Sequence, residues 1–357
     1  MGGLTDVAGL LVGHAADLVG LTGCTAVLCP AGAVGAVEVR GGASGLLGLD
    51  LLDPGHIATR VHGVVLAGGS AFGLEACFGV MAHLEARGVG LPTTGGLVPL
   101  VLGAILYDLA VGASTARPDR AMGARAAAQA SSDPVAEGSV GAGVGASVGK
   151  AFGLARAMKG GLGTASRQVG GATVAALVAV NAFGDVRDPV SGALLAGARD
   201  APDGRRLVDT AQHLREGRIT PGFRETHTTI GLVATDAALD GAEARRVAAL
   251  AHLGLAAALS PPHLSVDGDA LFCLATGSLA RADAPAADAL GLAAADSVAE
   301  AIVRAIRTAT PLGGLSAWRD LFAARAGAPE APGRRPHDRR PRRDGGAVSR
   351  EAGGPPP

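Results

Sequence analysis

Two rhythms of apolar residues alternate along the chain: short unbroken runs, and segments with helical spacing. Residues 64–67 (VVLA) read as a short buried strand that runs into GGSAFG and then a helix over 74–87. Residues 174–181 (VAALVAVN) read as a strand ending in the turn AFGD. Residues 229–235 (TIGLVAT) form a further strand, followed by a helix over 241–255 with Val247, Leu250, Ala251 and Gly254 on one side. A strand over 270–275 comes next. Val298, Ile302, Ala305 and Ile306, spaced i, i+4, i+7 and i+8, mark a last helix. Strands alternating with helices predict an α/β chain. No internal repeat interrupts this order.

Two segments break the pattern. Residues 198–227 are polar and carry Pro202, Asp203, Gly204 and Pro221, so they read as an exposed, poorly packed connection. From about Ala324 to Pro357 the chain is rich in Arg, Pro and Gly and almost free of large apolar residues. Such a segment buries too little surface to offset its ordering entropy and is expected to be disordered.

Composition narrows the function classes. Of 357 residues 48% are hydrophobic but only 3% aromatic, so the core must be built from Ala, Val, Leu and Ile. The net charge of −1 carries no nucleic-acid signal. The tail holds eight arginines against four acids, +4, which leaves about −5 on the body. A basic tail can touch nucleic acid or anionic lipid, but a solvated tail is the simpler reading. Cys24, Cys29, Cys77 and Cys273 form no CxxC pair, which predicts free thiols in a reducing cytoplasm and neither disulfides nor a structural zinc site. The N-terminus lacks a basic region ahead of an apolar one, so no secretory signal is expected. The long apolar stretch 95–113 is broken by glycines, Pro99 and Asp108, so no membrane span is expected either.

The candidate chemistry is weak when taken motif by motif. GGSAFG is neither GxGxxG nor GxxxxGK[ST], and reads as tight strand-to-helix packing. GVGASVGK ends in Gly-Lys, but Ala151 follows and Val144 stands where the first Gly belongs, so a nucleotide loop is rejected. Lys150 and Lys159 are the only lysines among many arginines. Each has either survived by chance or fills a role that needs a compact ammonium. Asp267-Gly268-Asp269 is either a turn or a pair of carboxylates that tunes a neighbouring group. Asn181, at a strand end, is either a turn residue or an amide donor to a developing oxyanion. Tyr107 is the only tyrosine.

The stretch Glu225-Thr226-His227-Thr228-Thr229-Ile230-Gly231-Leu232-Val233-Ala234-Thr235-Asp236-Ala237 resembles the β-subunit start of the L-aminopeptidase/D-esterase and nylon-oligomer hydrolase family. These are self-cleaving N-terminal nucleophile hydrolases. The resemblance runs in family order over roughly residues 4–315. It includes Thr5-Asp6-Val7, Val12-Gly13-His14, Arg40-Gly41-Gly42-Ala43 and Leu66–Ala76. It continues through Ile105-Leu106-Tyr107-Asp108, Gly141–Lys150, Lys159–Ser166, Val180–Gly184 and Asp267-Gly268-Asp269.

This resemblance implies a four-layered α/β/β/α sandwich. It also implies one catalytic domain cut into 1–227 and 228–323, with the tail 324–357 outside it. Cleavage would fall between His227 and Thr228, leaving Thr228 as nucleophile and its own α-amine as base. Asp267 and Asp269 would hold and tune Thr228, Asn181 would donate to the oxyanion with Lys150 beside it, and Tyr107 would line the substrate. No metal or other cofactor is implied. The implied partners are a small peptide or amide substrate and further copies of the chain in a homo-oligomer. Two positions depart from the family pattern. His227 stands where members more often carry Asn or Gly. The stretch Ser44-Gly45-Leu46-Leu47-Gly48-Leu49-Asp50 is apolar, as in the nylon-oligomer branch, where many aminopeptidases are polar. Two rivals remain: an acyl transferase like the ornithine acetyltransferases, and an uncleaved binding protein of the same fold.

Overall fold

In the strand Ala172–Asn181, Val174, Ala176, Val178 and Val180 face one way and Ala175, Leu177 and Ala179 the other, and all are buried. A strand that is apolar on both faces must lie between two covering layers. The computed structural model, which describes residues 2–53, 55–58, 60–222 and 227–322, supplies both.

The main elements are β1 (Leu11–Asp17), β2 (Thr22–Val39), β3 (Val61–Ala67), α1 (Glu75–Glu85), β4 (Val101–Ile105) and α2 (Arg120–Ala128). They continue with β5 (Gly161–Val169), β6 (Ala172–Asn181), β7 (Thr228–Ala237), α3 (Gly241–Ala258), β8 (Ala270–Leu279) and α4 (Ala287–Thr308). The strand order β5-β6-β7-β8-β2-β3-β4 hides two stacked sheets that share β2. Its first part, Cys24–Leu28, pairs with β3 and with β1, whereas Val34–Val39 pairs with β8. The register with β3 shifts between Leu28 and Ala33, around Pro30, which has no N–H to give a ladder.

The apolar side chains sort into three packed zones. Val64, Leu66 and Leu102 of one sheet meet Leu177, Ile230, Leu232 and Phe272 of the other. Val65, Ala67 and Val101 turn outward onto Val80 and Leu84 of α1 and Met122 and Ala126 of α2. Val178, Val233 and Leu271 turn outward onto Val247 and Leu255 of α3 and Val298 and Ile302 of α4. The layers therefore run α/β/β/α, as the resemblance implied.

Small residues let these layers approach closely. A methyl on Gly163 would sit 2.0 Å from Ala301 O, and one on Gly254 would sit 2.1 Å from Ala295 O. That is how a chain so poor in aromatics fills its core. Helix α3 starts with a reciprocal cap: Asp240 accepts from the Glu243 N–H while the Glu243 carboxylate accepts from the Asp240 N–H. Every strand and helix read from the pattern is present, with ends shifted by a few residues.

One expectation is overturned. The connection beginning at residue 198 is not simply exposed: Ala198 and Arg199 are buried, and Thr210–Arg215 is a short helix. Asp209 caps it, and the Thr210 N–H and hydroxyl both donate to the buried Asp185 carboxylate, at 2.7 and 2.9 Å. A buried carboxylate needs such donors, and six residues are too few for helical periodicity to be visible in the sequence. Residues 223–226 and the tail lie outside the described residues. All four cysteines are buried and free, and burial pushes the Cys24, Cys77 and Cys273 thiols up to about 12. Among the described residues no helix is long and apolar enough to cross a membrane.

Candidate active site

Strand register gathers the candidate residues. β6 runs antiparallel to β7, so its last residue, Asn181, pairs with Thr228, the first residue of β7. β8 runs parallel to β7, so Asp267-Gly268-Asp269, just ahead of β8, lies beside the same end, and His227 bridges to Asp267. Three sequence-distant segments thus meet at one edge of the inner layers.

The Thr228 hydroxyl donates to the carbonyl oxygen of His227 at 2.6 Å. The Gly268 N–H donates to the same oxygen at 2.8 Å. That carbonyl is therefore polarised, and the hydroxyl lies against it. Asp269 accepts from the Thr229 N–H at 2.8 Å and from the His263 N–H at 3.0 Å, and the His263 imidazole Nδ1 lies 2.9 Å from the same Oδ2. Asp267 accepts from the Leu264 N–H at 3.0 Å.

On the other side, Lys150 Nζ donates to both oxygens of Asn181, the side-chain Oδ1 at 2.7 Å and the main-chain O at 3.0 Å. The Ser147 N–H also donates to Oδ1. These contacts orient the Asn181 amide, and one Nδ2 hydrogen goes to the main-chain carbonyl of Tyr107 at 3.1 Å. Tyr107 is thus tied to the cluster through its backbone. Thr228, Asn181, Lys150, Asp267, Asp269 and His227 are all buried.

Burial sets the electrostatics. The Asp267 carboxyl is pushed up to about 8, first by desolvation and then by the charge of Asp269, against the pull of its N–H donors and Lys150. His227 is pushed down to about 2 by burial and by nearby Lys150, so it is neutral. Its ring packs edge-on against Phe183 at 4.9 Å, and its Nδ1 has no partner among the described residues. A cavity of about 180 Å³ opens here, lined by Lys150, Ala151, Phe183, Thr220 and His227. A larger groove of about 780 Å³ lies elsewhere, between the outer faces of α3 and α4, and contains none of the candidate residues.

The two lysines separate clearly. Lys159 is fully buried, and its Nζ donates to the carbonyls of Gly143, Ala146 and Gly160 at 2.7, 2.8 and 3.2 Å. Burial pushes it down to about 7, with Asp108 pulling the other way. It clamps the glycine-rich loop that leads to Lys150 but does not reach Thr228 itself.

Motif reading missed three contributors. The Gly268 N–H acts through the main chain, which no side-chain motif reveals. His263 follows two prolines and carries no spacing signal. Arg40-Gly41-Gly42-Ala43 was noted only as a match; its Arg40 and Ala43 N–H groups donate to the Asp269 and Asp267 carbonyls. Gly41, at φ 125, approaches so closely that a methyl there would sit 2.4 Å from Asp267 O.

Over residues 3–318 the sequence matches the family described as Peptidase family S58. The chain belongs to peptidase family S58. An uncharacterized aminopeptidase of Mycobacterium tuberculosis is 42% identical over 355 residues, covering 92% of this chain and 100% of that protein. A 6-aminohexanoate-oligomer endohydrolase of Kocuria sp. (strain KY2) is 32% identical over 313 residues, 85% of each chain. The L-aminopeptidase D-Ala-esterase/amidase of Ochrobactrum anthropi, described as a variant of the Ntn hydrolase fold, superimposes with a TM-score of 0.66 at 24% identity. It covers 91% of this chain and 92% of that one. A Burkholderia sp. beta-aminopeptidase gives 0.62 at 25% identity, covering 92% and 95%. This S58 member is a hydrolase on an N-terminal nucleophile hydrolase fold.

Proposed function

We propose that the chain is an amide hydrolase that cuts itself between His227 and Thr228 and then uses Thr228 as an N-terminal nucleophile. The observation that carries this is the Thr228 hydroxyl held 2.6 Å from the His227 carbonyl oxygen, which also receives the Gly268 N–H. In maturation, Thr228 Oγ1 attacks the His227 carbonyl carbon and negative charge develops on the oxygen facing Gly268. The C–N bond breaks, the nitrogen takes a proton, and an ester links His227 to the Thr228 hydroxyl. Water hydrolyses that ester, leaving a carboxylate on His227 and a free α-amine on Thr228.

In turnover the amine takes the hydroxyl proton, with a reference pKa of ~7.7–8.0 that suits a base near neutrality. Oγ1 attacks the substrate amide, the proton passes to the departing amine, and water then releases the acyl group from Thr228. The second Nδ2 hydrogen of Asn181, oriented by Lys150, donates to the substrate oxyanion, an interaction worth about 3 kcal/mol in comparable enzymes. Asp267 and Asp269 hold the start of β7 and tune the Thr228 amine and hydroxyl. Tyr107 borders the substrate.

The names of the relatives support small peptides, amino amides or ω-amino-acid oligomers as substrates. The apolar Ser44–Asp50 stretch favours uncharged ones. The processed protomers are proposed to assemble as a homo-oligomer. Denaturing electrophoresis and mass spectrometry test the reading. Two fragments are expected, the second beginning at Thr228, and Thr228→Ala should remain a single chain. A single wild-type band after prolonged incubation would favour the uncleaved binding protein instead, and a different new N-terminus would remove Thr228 as the nucleophile.

A further inference from the structure

Asp269 receives two main-chain N–H groups, from Thr229 and His263, and Asp267 receives one, from Leu264. Main-chain donors therefore lean toward Asp269. One side chain adds to this. The His263 imidazole Nδ1 lies 2.9 Å from Asp269 Oδ2, the same oxygen that accepts the His263 main-chain N–H. Two buried carboxylates whose charges act on each other do not readily ionise together, and a donor on one of them selects which takes the charge.

We propose that His263 is a positioning residue whose ring N–H fixes the Asp269 carboxylate and leaves the proton of the pair on Asp267. This deepens the role given to the two carboxylates above and rests on that reading. The backbone of His263 supports it. Its φ is +60°, a left-handed conformation unusual for a residue with a Cβ, and it turns both donors of one residue onto one oxygen. The other ring nitrogen, Nε2, is buried with no partner among the described residues. A bare lone pair there is tolerated better than an unpaired N–H, so the ring proton belongs on Nδ1. The groups that face this pair are consistent with the assignment. The His252 ring, 5.0 Å from that of His263, is held neutral by burial at about 4, Arg40 lies beside it, and Lys150 acts on Asp267.

The test has two arms. In the first, autocleavage is timed in pulse-labelled cell-free translations of wild type, His263→Gly and His263→Asn. Gly and Asn both accept a φ of +60°, but only Asn restores an N–H donor at the place of Nδ1. His263→Gly is expected to cleave about ten- to a hundredfold more slowly and His263→Asn within a few-fold of wild type, at similar Tm. Equal slowing in both variants, or in neither, overturns the proposal. The second arm needs no cleavage. Long-range ¹H–¹⁵N spectra of the single-chain Thr228→Ala protein should find His263 as the Nδ1–H tautomer, identified by loss of its signals in His263→Asn. An Nε2–H tautomer overturns the proposal. If wild type fails to cleave before Thr228, the functional reading falls while the second arm still decides the role of His263.

Discussion

Replacing Gly268 by Ala probes the polarised carbonyl with a single methyl. Gly268 does not occupy the left-handed region, so Ala brings no torsional penalty and the effect is steric. The new Cβ would lie 2.6 Å from Ala43 O and 2.8 Å from Thr228 Oγ1. Ordinary contact begins at 3.4 Å, so Oγ1 must retreat by 3.4 − 2.8 = 0.6 Å or the 267–269 turn must tilt. The first response moves the Thr228 hydroxyl, and the second lengthens the 2.8 Å bond from the Gly268 N–H to the His227 carbonyl.

Either response damages the same step. A misplacement approaching 1 Å costs about a hundredfold, and loss of an oxyanion donor costs about a hundred- to a thousandfold. Overpacking should lower stability by about 1–3 kcal/mol, which a domain of this size survives. The assay is the time course of precursor disappearance on denaturing gels, with Tm measured in parallel. Cleavage of Gly268→Ala should be at least about a hundredfold slower than wild type while the chain remains folded. Wild-type cleavage with an unchanged Tm would refute the idea that this turn activates the His227–Thr228 bond.

Two further outcomes are expected. Lys159→Met should lower Tm by roughly 10 °C, because it leaves three buried carbonyls without their donor at a cost of about 3–5 kcal/mol; an unchanged Tm would remove the clamp. In single-chain Thr228→Ala, the folded Asp267 keeps its proton up to about 8 whereas the unfolded chain releases it near 4, so its stabilising contribution is lost as pH rises through that window. Adding Asp267→Asn removes that loss, so the Tm of the double variant relative to its parent should climb from pH 5 to pH 8. A constant or falling difference would contradict the raised carboxyl.

What the sequence reveals depends on how local each signal is. β6 is readable because VAALVAVN is apolar on both faces and ends in a turn, a pattern complete within eight residues. β2 is longer but escapes notice, since Pro30 and several glycines interrupt its run where the strand crosses between sheets. The scarcity of lysine flags Lys150 and Lys159 equally. The resemblance alone singles out Lys150, and the fold supplies the physical difference, one ammonium binding loop carbonyls and the other binding Asn181, because the acceptors come from segments set by long-range pairing. Spacing alone leaves Asp267 and Asp269 either turn residues or tuning carboxylates, and the parallel bridge from His227 to Asp267 sets them beside Thr228, where the resemblance puts them. The tail cannot be compared, since it lies outside the described residues.

The mixed sheet explains why a cut at this position need not unravel the fold. The candidate site requires the starts of β7 and β8 at the same end, which only a parallel pair gives, and the finish of β6 there as well, which an antiparallel neighbour gives. β7 is therefore hydrogen-bonded on both sides from its first residues onward, Thr228 to Asn181 and Ile230 to Ala270. Its alternate side chains enter both apolar zones, Ile230 and Leu232 on one side and Val233 on the other. Breaking the bond before Thr228 removes one covalent link but no rung of either ladder from Thr228 onward. A freed α-amine would thus be held by two neighbouring strands beside its own hydroxyl, close to Asp269 through Thr229 and to Asn181 through the ladder. The strand that begins at Thr228 is buried at nine of its ten positions, so the proposed chemistry asks for little motion once the chain is cut.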